Sequence, residues 1–251
     1  MQTKVSFKSN KKNLLTGILI GNNQPSKDSP ALVVCHGFSG TKEGGGKAIS
    51  MAKYFSSHNI TTLLFDFSGN GESRGRFEDI TLSGQIQDLN GAVNFIKDLG
   101  FNKIFINGRS FGGTTAICYT GYHKPDYVKG VICVNSVARP YELFSKVKTK
   151  RDGDKVVLKA DEKEVIIKND FFEDLKKWDV LSLAKKISPI PLLIIQGDRD
   201  EVVDPKEAQM LYKNARCPKE IKIIKGGDHT LTDNYKPMWE ATLKFILKSL
   251  N

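Results

Sequence analysis

Ile104-Phe105-Ile106-Asn107-Gly108-Arg109-Ser110-Phe111-Gly112-Gly113 is an apolar run that ends in G-x-S-x-G and passes at once into a stretch of helical character. That layout predicts a strand-to-helix turn so tight that its central residue is held in a strained backbone conformation. Gly108 and Gly112 fit such a turn because neighbouring backbone comes too close for a Cβ. The turn would put the Ser110 hydroxyl at the top of a sheet, with a helix N-terminus behind it. The five-residue pattern alone arises by chance in about one chain of this length in ten. A strand before it and a helix after it make it far more specific. The competing reading is a Gly/Ser turn without chemistry.

A serine hydroxyl is a poor nucleophile at neutral pH. It needs a base within hydrogen-bond reach, and the base needs an orienting carboxylate. Among the four histidines, His229 is the best base, because it follows Gly226-Gly227-Asp228 on a flexible turn past the last strand. His58 and His123 sit near helix ends without a catalytic setting, and His36 reads as a loop-pinning ring. Asp198, Asp200 and Asp204 compete for the acid, all on the loop after the penultimate strand. Asp228 adjoins the base and reads as a turn residue. His36-Gly37-Phe38-Ser39-Gly40 follows an apolar strand, where enzymes with this elbow donate a backbone N–H to an oxyanion hole. The expected donors are the N–H groups of Phe38 and Phe111.

The rest of the chain supplies the frame. Its 251 residues and 39% hydrophobic content suit one α/β domain with an insertion. Val5-Ser6-Phe7 and Leu14 to Ile20 alternate around Asn10-Lys11-Lys12-Asn13 and predict a hairpin. Ala31 to Cys35, Thr61 to Phe65, Lys103 to Asn107, Val128 to Val134 and Leu192 to Gln196 are short apolar runs of the kind buried on both faces of a parallel sheet. Helical stretches alternate with them: Lys47 to Ser57, Leu82 to Leu99, Ser110 to about His123, Pro205 to Ala215 and Lys236 to Leu250. Asp66-Phe67-Ser68-Gly69-Asn70-Gly71 leaves the carboxyl end of a strand, where open α/β sheets place ligands, and Asp66 reads as a loop organiser. Thr41 to Gly46 lacks the spacing of a phosphate cradle. No run approaches the ~20 apolar residues that span a membrane, and the first residues show no apolar leader, so the expected location is cytoplasmic.

The four cysteines form no C-x-x-C and no zinc spacing, so neither disulfide nor metal is expected. The net charge of +10 is carried by lysines spread along the chain. It gives no aromatic-interleaved basic stripe, and nucleic acid is not an expected partner.

The alternation breaks between residues 136 and 183. Lys155 to Lys159 and Val165 to Lys168 predict a hairpin around Ala160-Asp161-Glu162-Lys163-Glu164, and Phe171, Phe172, Leu175 and Trp178 follow on a short helical run. This segment reads as a cap inserted above the carboxyl edge of the sheet, with 1–135 and 184–251 as the core. Tyr141, Phe144, Phe171, Phe172 and Trp178 are its pocket candidates, against ordinary packing within the cap.

His36-Gly37-Phe38, Asp66 to Ser73, Gly108 to Gly113, Gln196 to Val203 and Gly227-Asp228-His229 together resemble an α/β-hydrolase of the serine carboxylesterase type. The chain is similar to bacterial feruloyl/cinnamoyl esterases and to serine aminopeptidase-like hydrolases. The resemblance implies a mostly parallel eight-stranded sheet with helices on both faces and a small cap between the sixth and seventh core strands. It also selects Asp200, the Asp of the family's H-G-x-x-D-x-x-V segment, giving the order Ser110, Asp200, His229. Gln196 stands where the family usually has His, a change expected to be harmless.

The expected function is hydrolysis of a small-molecule carboxylic ester with a short or aromatic acyl group, through an acyl-enzyme and without a cofactor. A peptidase, thioesterase or lysophospholipase would use the same triad. A peptidase would need carboxylates for a free amine, and Glu142, Asp170, Glu173 and Asp174 are the acids the cap offers. A non-catalytic ligand-binding protein on the same fold is the third reading. Monomer and dimer are both compatible with the sequence.

Overall fold

The central apolar runs alternate which face they bury. Ala31, Val33 and Cys35 enter one hydrophobic layer, while Leu32 enters another on the opposite face. A strand that is apolar on both faces needs helices above and below it, and the fold supplies them. A computed structural model describes residues 1–9, 13–21, 29–160, 163–216 and 218–250. In chain order the elements are β1 (Gln2–Lys8), β2 (Leu14–Ile20), β3 (Pro30–Cys35), α1 (Lys47–Ser56), β4 (Thr61–Phe65), α2 (Leu82–Asp98), β5 (Lys103–Arg109), α3 (Phe111–His123) and β6 (Val128–Val134). An insertion follows: α4 (Pro140–Lys146), β7 (Lys148–Asp152), β8 (Lys155–Ala160), β9 (Lys163–Lys168), α5 (Asp170–Leu175) and α6 (Val180–Lys186). The chain ends with β10 (Leu192–Gly197), α7 (Lys206–Asn214), β11 (Lys219–Ile224) and α8 (Tyr235–Leu250).

The main sheet has eight strands in the order β1-β2-β4-β3-β5-β6-β10-β11. β1 and β2 pair antiparallel, β2 pairs antiparallel with β4, and every other neighbour is parallel. β3 and β5 therefore lie side by side at its centre, and their carboxyl ends hold His36 and Ser110. α2, α3, α6 and α7 cover one face, and α1 and α8 cover the other. The side chain of Thr81 caps α2 by accepting from the Gly84 N–H. The sheet and its covering layers agree with the sequence expectation.

The insertion differs from it in one respect. It holds a three-stranded antiparallel sheet, β7-β8-β9, where the sequence suggests a two-stranded hairpin. β7 reads Lys-Thr-Lys-Arg-Asp and is exposed throughout, so it carries no hydrophobic alternation and is held through its backbone pairing with β8. Val156, Leu158 and Ile167 on the buried side of this sheet join Phe144 and Phe171 in the main core. The Lys168 ammonium meets the Asp79 carboxylate at 2.5 Å, tying β9 to the turn before α2. The expected turns at residues 10–12 and 161–162, and Cys217, lie outside the described residues. Cys35, Cys118 and Cys133 are free and buried, and burial pushes their thiols up. Among the described residues no helix is long and apolar enough to cross a membrane.

Candidate active site

β5 runs into α3 through one residue, Ser110, with φ 53° and ψ −125°. The left-handed φ is uncommon for a residue with a side chain and marks strain held by its surroundings. The Ser110 N–H donates to the Val134 carbonyl at 2.8 Å, and its carbonyl accepts from the Gly113 N–H at 2.9 Å. A Cβ on Gly108 would lie 2.3 Å from the Gly112 carbonyl oxygen, and one on Gly112 would lie 2.3 Å from that of His36. Both contacts are with backbone, which cannot rotate away. Gly112→Ala is therefore expected to destabilise the fold by about 3 kcal/mol, read as a lowered urea midpoint with an unchanged slope. An unaltered midpoint would mean that the elbow and the oxyanion loop are not packed as described.

His229 and Asp200 come together across the ends of β10 and β11. His229 Nδ1 lies 3.0 and 2.9 Å from the two Asp200 carboxylate oxygens. Asp200 has a fully buried side chain, and both its oxygens accept hydrogen bonds. Oδ1 accepts the N–H groups of Val202 at 2.9 Å and Val203 at 2.8 Å, and Oδ2 accepts from Gln196 Nε2 at 3.3 Å. A carboxylate so supplied with donors stays in place and presents its remaining capacity to the imidazole. With Nδ1 facing Asp200, Nε2 is on the far side of the ring. Gln196 thus contributes a donor to Asp200 at the position where the family usually has His. Asp198 accepts from the Gly226 N–H and Asp228 from the Thr232 N–H, so both organise turns.

Asn135 is a positioning residue that sequence reading missed. It is buried, with φ 47°. Its Oδ1 accepts from the Gly197 N–H at 2.8 Å, and its Nδ2 donates to the Asp228 and His229 carbonyls at 3.1 and 2.8 Å. One side chain therefore joins the ends of β6 and β10 to the loop that carries His229. An Asn closing an apolar strand was the available signal, because Asn tolerates left-handed backbone. Glu207 was also missed. It accepts the N–H groups of Ala138 and Arg139, each at 2.9 Å, and anchors the start of the insertion to α7.

The loop after β3 lies against Ser110: a Cβ on Gly37 would lie 3.5 Å from that of Ser110. Neither the Phe38 nor the Phe111 N–H donates to another described residue. The loop is held from below. His36 Nδ1 is 2.7 Å from the Gly37 carbonyl, and Nε2 accepts from the Phe67 N–H at 3.1 Å, which makes the ring neutral with its proton on Nδ1. The Asp66 carboxylate accepts the Lys42 N–H and ammonium, each at 2.7 Å. Burial pushes the His36 imidazole below its usual range. An unfolded His36 takes up a proton below about pH 6.5, whereas the folded ring stays neutral. The unfolded chain then binds more protons, so the contribution is fully present above pH 6.5 and lost as pH falls. Between pH 7 and 5.5, wild type is expected to lose stability more steeply than His36→Gln, by up to about 1.4 kcal/mol per pH unit. Parallel slopes in urea titrations would contradict this.

Ser110 and His229 face one cavity of about 620 Å³, walled also by Phe38, Phe144, Leu158 and Val202. Its size suits a small molecule. Ser110 Oγ makes no hydrogen bond to a described residue. Of the five pocket candidates, Phe144 is on this wall and four are not. Phe171 is fully buried against Phe38, Phe111 and Phe144. Phe172 stacks edge-on to Phe171 and Tyr141, and Tyr141 is exposed. Trp178 donates to Ser83 Oγ at 2.9 Å. Phe171, Phe172 and Trp178 pack the insertion onto the core, and Tyr141 stays within the insertion. The strand β8 supplies Leu158 and Lys159 to the wall instead. Glu142, Asp170, Glu173 and Asp174 do not line the cavity, whereas Glu201 does. Among the described residues no cluster of His, Cys, Asp or Glu suits a metal ion.

A family model described as alpha/beta hydrolase fold matches residues 30–155, half of the chain, and one described as serine aminopeptidase, S33, matches residues 173–234. "Uncharacterized protein YfhR" of Escherichia coli O157:H7 is 23% identical over 239 residues, covering 90% of this chain and 75% of that protein. "Polyketide transferase grgF" of Penicillium sp is 27% identical over 249 residues, covering 81% and 82%. The structure of Est1E from Butyrivibrio proteoclasticus with bound ferulic acid superposes with a TM-score of 0.86 at 22% identity, covering 98% of this chain and 99% of that one. A likeness at this identity shows the fold.

Proposed function

The chain belongs to the α/β-hydrolase family, and on that premise we propose that it is a serine carboxylesterase acting on small-molecule esters with short or aromatic acyl groups. The observation that carries this reading is the buried Asp200 bonded to His229 Nδ1, with His229 and the strained Ser110 on one cavity. Ser110 Oγ attacks the ester carbonyl and His229 Nε2 takes its proton, while Asp200 stabilises the imidazolium. The N–H groups of Phe38 and Phe111 receive the developing oxyanion. His229 then protonates the leaving alcohol, and water, activated by the same base, releases the acid. The segment 136–183 serves as a cap that closes the acyl side through Phe144 and Leu158. Side chains, two backbone N–H groups and water supply every step, so the mechanism calls for no cofactor.

The second family model spans the acid and base loops and raises a peptidase reading for the same triad. Glu201 is then the acid placed to meet a free amine. The ester reading is favoured because the insertion's four acids lie off the cavity, three of them already engaged. Glu142 pairs with Arg139, Glu173 with Lys176, and Asp174 with Ser83. p-Nitrophenyl esters of increasing acyl length and methyl ferulate, set beside an anilide sharing one acyl group, test the choice. Ester turnover is expected to exceed anilide turnover and to fall once the acyl chain outgrows the cavity. Faster anilide cleavage would favour the peptidase.

A further inference from the structure

The cavity that holds Ser110 and His229 is electrically lopsided. Its walls include the cationic residues Arg109, Lys146 and Lys159 and a single acid, Glu201. Arg109 precedes the nucleophile in the chain. The two lysines belong to the insertion: Lys146 closes α4, and Lys159 lies near the end of β8. The Lys159 N–H donates to the carbonyl of Val147, the residue after Lys146, at 2.9 Å, which holds the two lysines on one stretch of the wall. Both are exposed, so each ammonium is free to reach the cavity on its flexible four-carbon stem.

Much of the insertion's positive charge is already engaged. Lys155 pairs with Glu78, Lys168 with Asp79, Lys176 with Glu173 and Lys177 with Asp174, whereas neither Lys146 nor Lys159 forms an ion pair with a described residue. Lys148, between them in the chain, lies over the Phe172 ring. Glu164 stands opposite Lys159 in the β8–β9 register, but it makes no ion pair with it and does not line the cavity. Glu201, on the loop after β10, makes none with either lysine. A concave site walled by an excess of one charge draws in ligands of the other.

We propose that the acyl group of the ester ends in a carboxylate, which Lys146 and Lys159 receive on the insertion side of the cavity. The inference rests on the esterase reading and names the substrate class within it: monoesters of dicarboxylic acids. Phe144 and Leu158 then pack along the apolar middle of the acyl chain, and the two lysines select its far end.

The test compares 4-nitrophenyl hydrogen adipate with 4-nitrophenyl methyl adipate, and the same pair of suberate esters, so that the members of each pair differ by one methyl group and one charge. Wild type is set beside the double variant Lys146→Gln/Lys159→Gln and a control, Lys150→Gln/Lys185→Gln, which removes equal charge from exposed positions of the insertion off the cavity. The kcat/KM ratio of acid to methyl ester is compared between proteins, which cancels intrinsic reactivity. It is expected to fall about tenfold in Lys146→Gln/Lys159→Gln for at least one chain length, and to stay within about twofold in the control, whose charges are farther off and screened. A ratio unchanged at both lengths, or equal falls in the two double variants, would overturn the proposal. The esterase reading would still stand, because the methyl esters are turned over. If wild type turns over no ester of either pair, the esterase reading fails and binding decides. Monomethyl adipate is then titrated by calorimetry. Affinity that falls in Lys146→Gln/Lys159→Gln and holds in the control would support the site, and no binding, or affinity unchanged in both, would overturn it.

Discussion

Ser110→Ala is expected to lower kcat for ester hydrolysis by a factor on the order of 10⁵ or more. The residual rate would come from the oxyanion donors and substrate binding alone. The size of the effect follows from covalent catalysis, which loses its attacking oxygen. Stability is expected to stay near that of wild type. Ala meets the same backbone demand at φ 53° as Ser, and the Ser110 hydroxyl holds no hydrogen bond to a described residue that the change would break. Initial rates on p-nitrophenyl acetate and a thermal melt, run on the same preparation, check both halves. Ester turnover within tenfold of wild type, in protein that melts normally, would remove Ser110 from the chemistry.

Asp200→Asn is expected to cost about 10⁴-fold in kcat with little change in KM. The Asp200 carboxylate meets only donors: two backbone N–H groups, the Gln196 amide and His229 Nδ1. An Asn side chain must place an NH₂ where one oxygen stood. If its oxygen keeps the Val202 and Val203 N–H groups, its NH₂ faces His229 Nδ1, which must then accept. The ring's proton moves to Nε2, and the base can no longer receive the serine proton. Asp198→Asn is the matched control, because among the described residues the Asp198 carboxylate holds only the Gly226 N–H, on a neighbouring turn. It is expected to leave kcat within a few-fold of wild type. Equal losses in the two variants would mean that the acid had been assigned to the wrong residue.

The sheet and the elbow were legible because each rests on a local pattern. Strands apolar on both faces read as continuous runs, and the glycines of G-x-S-x-G mark backbone contacts that admit no Cβ. Asp200 was less local. The loop offered Asp198, Asp200 and Asp204 on equal terms, and the family resemblance separated them. What escaped was set by tertiary contact. β7 has no apolar residue to betray it. Asn135 and Glu207 act on partners tens of residues away, at Gly197, His229 and Ala138. The aromatic residues of the insertion were legible as buried, but which of them faces a cavity depends on how the insertion docks. Phe171 ended against Phe38 and Phe111, and Phe144 alone of the five reached the wall.

The central claim is that Ser110 is a nucleophile activated by His229 and Asp200. Mass spectrometry of protein treated with a fluorophosphonate, followed by peptide mapping, tests it without assuming a substrate. The expected result is one covalent adduct per chain on the peptide containing Ser110, absent in Ser110→Ala and formed far more slowly in Asp200→Asn. No adduct on folded wild-type protein, or an adduct at another residue, would contradict the assignment.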